Sequence, residues 1–300
     1  MKYRFMKYLI LSLALGSVLT VFNDSTTAAN EGFKNNYKKL LIATKKVICD
    51  PVCREVSRRD NFYIISPVGT LLSNRPKLAW TTVTGATSYI VRLQGSGRTL
   101  WELEVNNTEI SYPENQPALE PGLAYDLIVK AMGEEEKVTQ TRFIILTTQQ
   151  AQKLKSEIDN IRNQNLTPQE TAFKIAELYE DNNLIAEAEN NYQQALKLAK
   201  NQNDIDGQAW IQVKLARINL TLDNPDQAII LLKAAYANYS TSKNLQFSSQ
   251  VAQFLGEVYS SLEQKAEAIR WYQQAKTEYQ AIKDQKRLQW VEKELSELNQ

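Results

Sequence analysis

Between Asn61 and Leu146, apolar and polar positions alternate in short bursts. Tyr89, Val91 and Leu93 are interleaved with Ile90 and Arg92, and Tyr125, Leu127 and Val129 with Asp126, Ile128 and Lys130. A period of two puts one set of each run on a core-facing side and the other toward solvent, which is the mark of a half-buried strand. Six runs of β-formers stand out, Phe62–Ile65, Leu78–Trp80, Tyr89–Leu93, Thr99–Leu103, Tyr125–Val129 and Thr141–Leu146. The breakers lie between them: five of the eight prolines and six of the ten glycines fall between residues 61 and 133. Short strands at this spacing predict an all-β sandwich.

After Thr148 the pattern changes. Ala, Leu, Gln, Glu and Lys dominate, and the last 152 residues hold only two prolines and two glycines, a helical composition. This part also matches itself at a stride of 40 residues. Ala188–Ala195 aligns with Ala228–Ala235 and with Ala268–Ala275, and upstream Ile175-Ala176, Leu215-Ala216 and Leu255-Gly256 share one offset. Small residues recur where two helices must approach closely, and large apolar ones where the next repeat must be met. Leu288, Val291, Leu295 and Leu298 line one side of a last helix, as a solvating cap requires. Thr167-Pro168-Gln169-Glu170 reads as an N-cap with proline at the first helical position.

Pro76–Trp80, Ala86–Val91 and above all Leu119–Ala131, with its Pro121-Gly122-Leu123-Ala124-Tyr125 core, resemble a fibronectin type III module. The resemblance implies that Trp80 and Tyr125 are structural and that the module is a spacer or recognition domain. Gly95-Ser96-Gly97-Arg98 lacks the third glycine of a dinucleotide loop and joins two expected strands, so it reads as a hairpin turn. The 40-residue units resemble the tetratricopeptide repeat family in its longer variant, although Asn219 and Leu232 replace aromatic residues in the middle unit. The expected fold class is therefore multidomain, all-β followed by all-α. A signal peptide (1–29) and a connector (30–61) precede a fibronectin III-like sandwich (62–146) and a lead-in helix (147–167). Three tetratricopeptide repeats (168–284) and a capping helix (285–300) complete the α-solenoid. This domain order resembles exported repeat proteins of cyanobacteria.

The leader expectation rests on Lys2, Arg4 and Lys7 followed by an uncharged run of fourteen residues, Leu9 to Phe22. That run falls short of the roughly 20 residues a membrane-spanning helix needs, and small residues suit cleavage after Ala28 or Ala29. A periplasmic or secreted location follows, with a membrane attachment only if the leader stays uncut. Export permits disulfides, so Cys49 and Cys53 are expected to close a small local loop. Free thiols, an intermolecular link and a redox pair are the alternatives, the last weakened because three residues intervene instead of two.

Composition then removes function classes. The chain of 300 residues holds no histidine, which excludes Ser–His and Cys–His nucleophiles and His-ligated zinc. Two cysteines are too few for a four-thiolate metal site, and Asp204 with Asp206 lacks the remaining ligands of a calcium loop, so no metal and no cofactor is expected. With 35 basic and 34 acidic residues there is no basic surplus for nucleic acid. No paired-carboxylate motif supports an enzyme. The expected partner is a protein or peptide, held on the concave surface lined by the first helix of each repeat.

The tetratricopeptide resemblance implies which residues face that surface: Glu177, Arg217 and Glu257, with Phe173, Val213 and Gln253 one turn earlier and Lys174, Lys214 and Phe254 nearby. Grooves of this family that hold a chaperone's C-terminal carboxylate use a lysine–asparagine clamp, and Phe173 and Glu177 occupy such places, which disfavours that ligand. The mixed-sign row fits a peptide of complementary charge; it also fits a solvated ladder between neighbouring helices. An envelope assembly factor binding partners or polysaccharide through sandwich loops is the alternative function.

Overall fold

The computed structural model describes residues 62–299. The expected leader, connector and Cys49–Cys53 loop lie outside the described residues. Eight strands come first, β1 (Ile64–Ser66), β2 (Gly69–Leu71), β3 (Lys77–Trp80), β4 (Ser88–Gly95), β5 (Arg98–Val105), β6 (Glu109–Ser111), β7 (Ala124–Met132) and β8 (Lys137–Ile145). They form a three-stranded sheet, β1-β3-β6, and a five-stranded sheet, β2-β8-β7-β4-β5. Two strands beyond the six expected appear, β2 and β6, each three residues long. The first expected run extends into a strand that changes sheets: β1 pairs antiparallel with β3, and β2 pairs parallel with β8.

The sandwich core fills from both inner faces, with Leu78, Trp80, Val91, Leu93, Leu127, Val129 and Phe143 fully or almost fully buried. Trp80 packs on Tyr89 at 5.6 Å between ring centroids. The Tyr125 hydroxyl accepts a hydrogen bond from the Glu120 amide at 2.8 Å, pinning the corner before β7, and its ring stacks on Phe143. The β4–β5 connection is a two-residue hairpin in which Ser96 and Gly97 have φ of 50° and 74°, as the primed turns demand. Strand order and tyrosine corner together make this a fibronectin III-like sandwich.

Eight helices follow: α1 (Thr148–Arg162), α2 (Pro168–Asp181), α3 (Ile185–Asn201), α4 (Ile205–Thr221), α5 (Pro225–Thr241), α6 (Leu245–Ser261), α7 (Lys265–Ala281) and α8 (Gln285–Leu298). Thr147 and Thr167 open α1 and α2 with full capping boxes. From α2 onward each helix packs on the next in sequence, so α2/α3, α4/α5 and α6/α7 are three hairpins in tetratricopeptide-like packing. Their turns are one device used six times. Asn183, Asn203, Asp223, Lys243, Glu263 and Lys283, spaced by 20 residues, all have φ between 54° and 60°. At each, the following amide reaches back five residues and the left-handed residue's own amide reaches back three, for example Asp204 N–H to the Ala199 carbonyl and Asn203 N–H to Lys200. This is the Schellman closure, which satisfies carbonyls a helix end would leave unpaired.

Within each hairpin a small residue of the first helix sits under a large one of the second. A Cβ added at Gly256 would lie 2.5 Å from the Tyr272 ring, and Ala216 and Ala176, one and two strides earlier, are fully buried with Leu232 and Tyr192. The helical core runs unbroken from Ala209 to Val291 and is closed at its C-terminal end by α8, whose Trp290 meets Tyr272 at 5.9 Å.

Candidate functional site

The first helices α2, α4 and α6 carry the residues expected to face a partner, and the structure sorts them into three groups. Phe173 and Val213 are a correction to the expectation. They are 6% and 4% exposed and belong to the core, Phe173 packing edge-on to Tyr192 at 5.5 Å. The reason is geometric: four residues advance a helix about 40° beyond one full turn, so Phe173 and Val213 are rotated off the Glu177–Arg217 row and into the core.

Glu177 and Lys214 form the second group and are joined to each other. The Lys214 ammonium lies 3.2 Å from Glu177 and 3.3 Å from Glu180, with its side chain only 12% exposed. It also stands 5.9 Å from the ring centroids of both Tyr192 and Trp210. The Tyr192 hydroxyl donates to Glu180. Lys214 thus ties the first and second repeats together. Glu180 and Tyr192 were not legible as members, since Glu180 lies off the repeating series and Tyr192 reads as a core aromatic. Burial pushes the Glu177 carboxyl above the usual range, with Lys214 pulling it back and Glu180 and Asp181 adding to the rise. Asp181 is raised by burial and by Glu180. Tyr192 is raised by burial and by Glu180 and Glu177, and Arg217 opposes the shift.

The third group is Arg217, Gln253 and Glu257, all half-buried. Gln253 is held from both sides: its amide donates to Glu257 at 2.9 Å and its carbonyl accepts from the Tyr279 hydroxyl at 2.7 Å. Arg217 forms no ion pair among the described residues, and its half-buried guanidinium carries five donors. Lys174 donates to Gln164 at 3.0 Å, and Phe254 packs partly against the core.

Charge is unevenly shared along the stack. Residues 168–207 hold eight carboxylates against three cations, whereas residues 208–287 hold ten cations against seven carboxylates. Burial also raises Glu187 and Glu189 in the first repeat. Deeper in the stack, Glu278 is buried and accepts hydrogen bonds from Tyr236, Ser248 and Gln274, which ties the second repeat to the third. Asp204 caps α4 through the Gly207 amide and accepts from the buried Gln169 at 2.8 Å. That pairing makes Asp204 an inter-repeat anchor. Among the described residues no group of three His, Cys, Asp or Glu side chains is placed to hold a metal ion, and no helix is long and apolar enough to cross a membrane.

The sandwich contributes a recess of about 550 Å³, lined by Thr82, Tyr89, Asn106, Asn107, Thr108 and Glu109 among others. It lies at the end of β4 marked by the Ser88–Met132 pair. The opposite end, marked by Gly95 and Tyr125, is where the chain leaves for the helices.

Residues 169–241 match one model of the tetratricopeptide repeat and residues 249–281 match another, so the helical part carries tetratricopeptide repeats. No curated protein matches the chain. Among solved structures, BtubC (BKLC) from P. vanneervenii is 16% identical, covering 50% of this chain and 72% of that one at a TM-score of 0.37. The putative kinesin light chain repeats of Podosopora anserina are 15% identical over 50% of this chain and 86% of theirs, also at 0.37. The fn3 domain of the human collagen alpha-1(XX) chain is 22% identical over 29% of this chain and 83% of its own, at 0.23. The fold stands on the packing above and on the repeat models, independently of these distant likenesses.

Proposed function

We propose that the chain is an exported, non-enzymatic scaffold that docks an extended segment of a partner protein across the first helices of its repeats. Tetratricopeptide repeats suit protein–protein interaction, and the leader pattern of Met1 to Phe22 supports export. The observation that carries the docking surface is Arg217, a half-buried guanidinium without an ion pair among the described residues, beside a first repeat rich in carboxylates. A carboxylate of the partner meets Arg217, and a basic side chain three residues away meets the Glu177–Asp181 side. That spacing follows from helices packed about 10 Å apart and an extended chain advancing roughly 3.3 Å per residue. Charge patterning of this kind contributes specificity and association rate more than affinity.

Selection of a random octapeptide library on the full chain tests this reading. Peptides pairing an acidic with a basic residue three positions apart should be enriched, and Arg217→Glu should invert the preferred charge at the acidic position. No enrichment, or enrichment indifferent to Arg217→Glu, overturns it. The polar recess of the sandwich favours a second reading, polysaccharide or partner binding through the sandwich loops, because hydroxyl and amide side chains line it. Glycan retention that is lost in Asn107→Ala and kept in Arg217→Glu would establish that function instead.

A further inference from the structure

We infer that the sandwich is the N-terminal cap of the helical stack, held to the first repeat by a clasp between β2 and the α2–α3 turn. A stack of helical hairpins leaves apolar surface at both ends, and each end needs a cover. At the C-terminal end α8 supplies it through Leu288 and Val291. At the other end the cover is composite. Leu154 and Ile158 of α1 join Leu146, the residue after β8, in one buried cluster with Ile175 and Leu184 of the first repeat. The Leu146 amide in turn donates to the Leu71 carbonyl of β2 at 3.0 Å.

The clasp itself is a backbone hydrogen bond, Thr70 N–H to the Asn183 carbonyl at 2.9 Å. It uses an amide on the outer side of an edge strand, a group that otherwise invites pairing with another chain. Gly69 makes the approach possible: its φ is +74°, and an added Cβ would lie 2.7 Å from the Asn183 carbonyl oxygen and 3.3 Å from the Ile185 side chain. At the matching turns of the second and third repeats, the Asp223 and Glu263 carbonyls take no backbone hydrogen bond from another element among the described residues. The sandwich is therefore a fixed post. It holds its polar recess one strand length, about 25 Å for an eight-residue strand, beyond the junction with the first repeat.

Hydrogen exchange on the full chain tests the clasp. The Thr70 amide should be protected, and β2, α1 and α2 should open together in dilute denaturant. Gly69→Val should raise exchange of Thr70 and of the α2 amides at least tenfold while leaving β4 and β7 within twofold. Asn183→Gly, which keeps both the carbonyl and the left-handed turn, should leave Thr70 protected. Thr70 exchanging like a solvent-exposed edge amide in the wild type overturns the inference. So does Gly69→Val freeing Thr70 with no change in α2. Should Gly69→Val unfold the sandwich, Leu154→Ala reads the same coupling from the helical side: β2 exchange rises with it if the cap exists and stays fixed if it does not.

Discussion

The sandwich and the helical stack solve the same burial problem in opposite ways. The sandwich uses each device once. Trp80, the Tyr125 corner and the strand that leaves β3 to join β8 have no second copy, and β2 pairs with residues at the far end of the sandwich sequence, Gly69 with Phe143 and Leu71 with Ile145. The stack repeats a left-handed turn every 20 residues and a small-under-large contact every 40. Damage to the sandwich should therefore be global within it, and damage to the stack graded by repeat.

Trp80→Ala is the sharpest way to break the contrast. Removing a fully buried Trp costs about 3–5 kcal/mol, so the strands should unfold as a unit and loosen the first repeat they cap, while helical circular dichroism of the second and third repeats survives. Graded loss of strands in a urea titration would contradict the comparison. Gly256→Leu comes next, at about 3 kcal/mol, because the new side chain occupies the space of the Tyr272 ring. Its effect should centre on α6 and α7, with α2 and α3 protected in hydrogen exchange. A gain follows third. Lys243→Gly, Glu263→Gly and Lys283→Gly relieve a left-handed backbone that side chains disfavour, and each should raise stability by about 0.5–1 kcal/mol in thermal melts.

The smallest effect is pH. Burial raises Glu177, Asp181, Glu187 and Glu189 in the first repeat. The folded state thus holds these protons more tightly than the unfolded chain. Their contribution to stability is fully present below the ordinary carboxylate range and fades as pH climbs through their raised values. Acidification from pH 7 toward 5 should raise the protection factors of α2 and α3, the ratio of intrinsic to observed exchange rate, because the intrinsic rate itself falls with pH. The gain should be small because these groups are partly solvent-screened, and lower protection factors at pH 5 than at pH 7 would reverse the sign of the account.

The same contrast explains what was legible. The stack could be compared with itself, so Ala176, Ala216 and Gly256 marked the hairpin seams before any coordinates. The sandwich offered no internal reference, and β2 and β6 went unread: Gly69-Thr70-Leu71 and Glu109-Ile110-Ser111 are too short to show alternation, and one contains a glycine. At the candidate site, the series through Glu177, Arg217 and Glu257 gave positions and missed partners. The Lys214 network depends on Glu180 and the Tyr192 hydroxyl, and no periodicity reports a hydroxyl's aim. Phe173 and Val213 were misplaced because adjacent turns of one helix can face a seam and a surface.

Photo-crosslinking of a selected octapeptide tests the docking surface most directly. A photoreactive residue replaces Thr221, one turn beyond Arg217 on α4, or Ile230, which is 59% exposed on the second helix of the same repeat. The account predicts capture from position 221, abolished by excess unlabelled peptide, and none from position 230. Equal capture at both positions, or capture from position 230 alone, would contradict it.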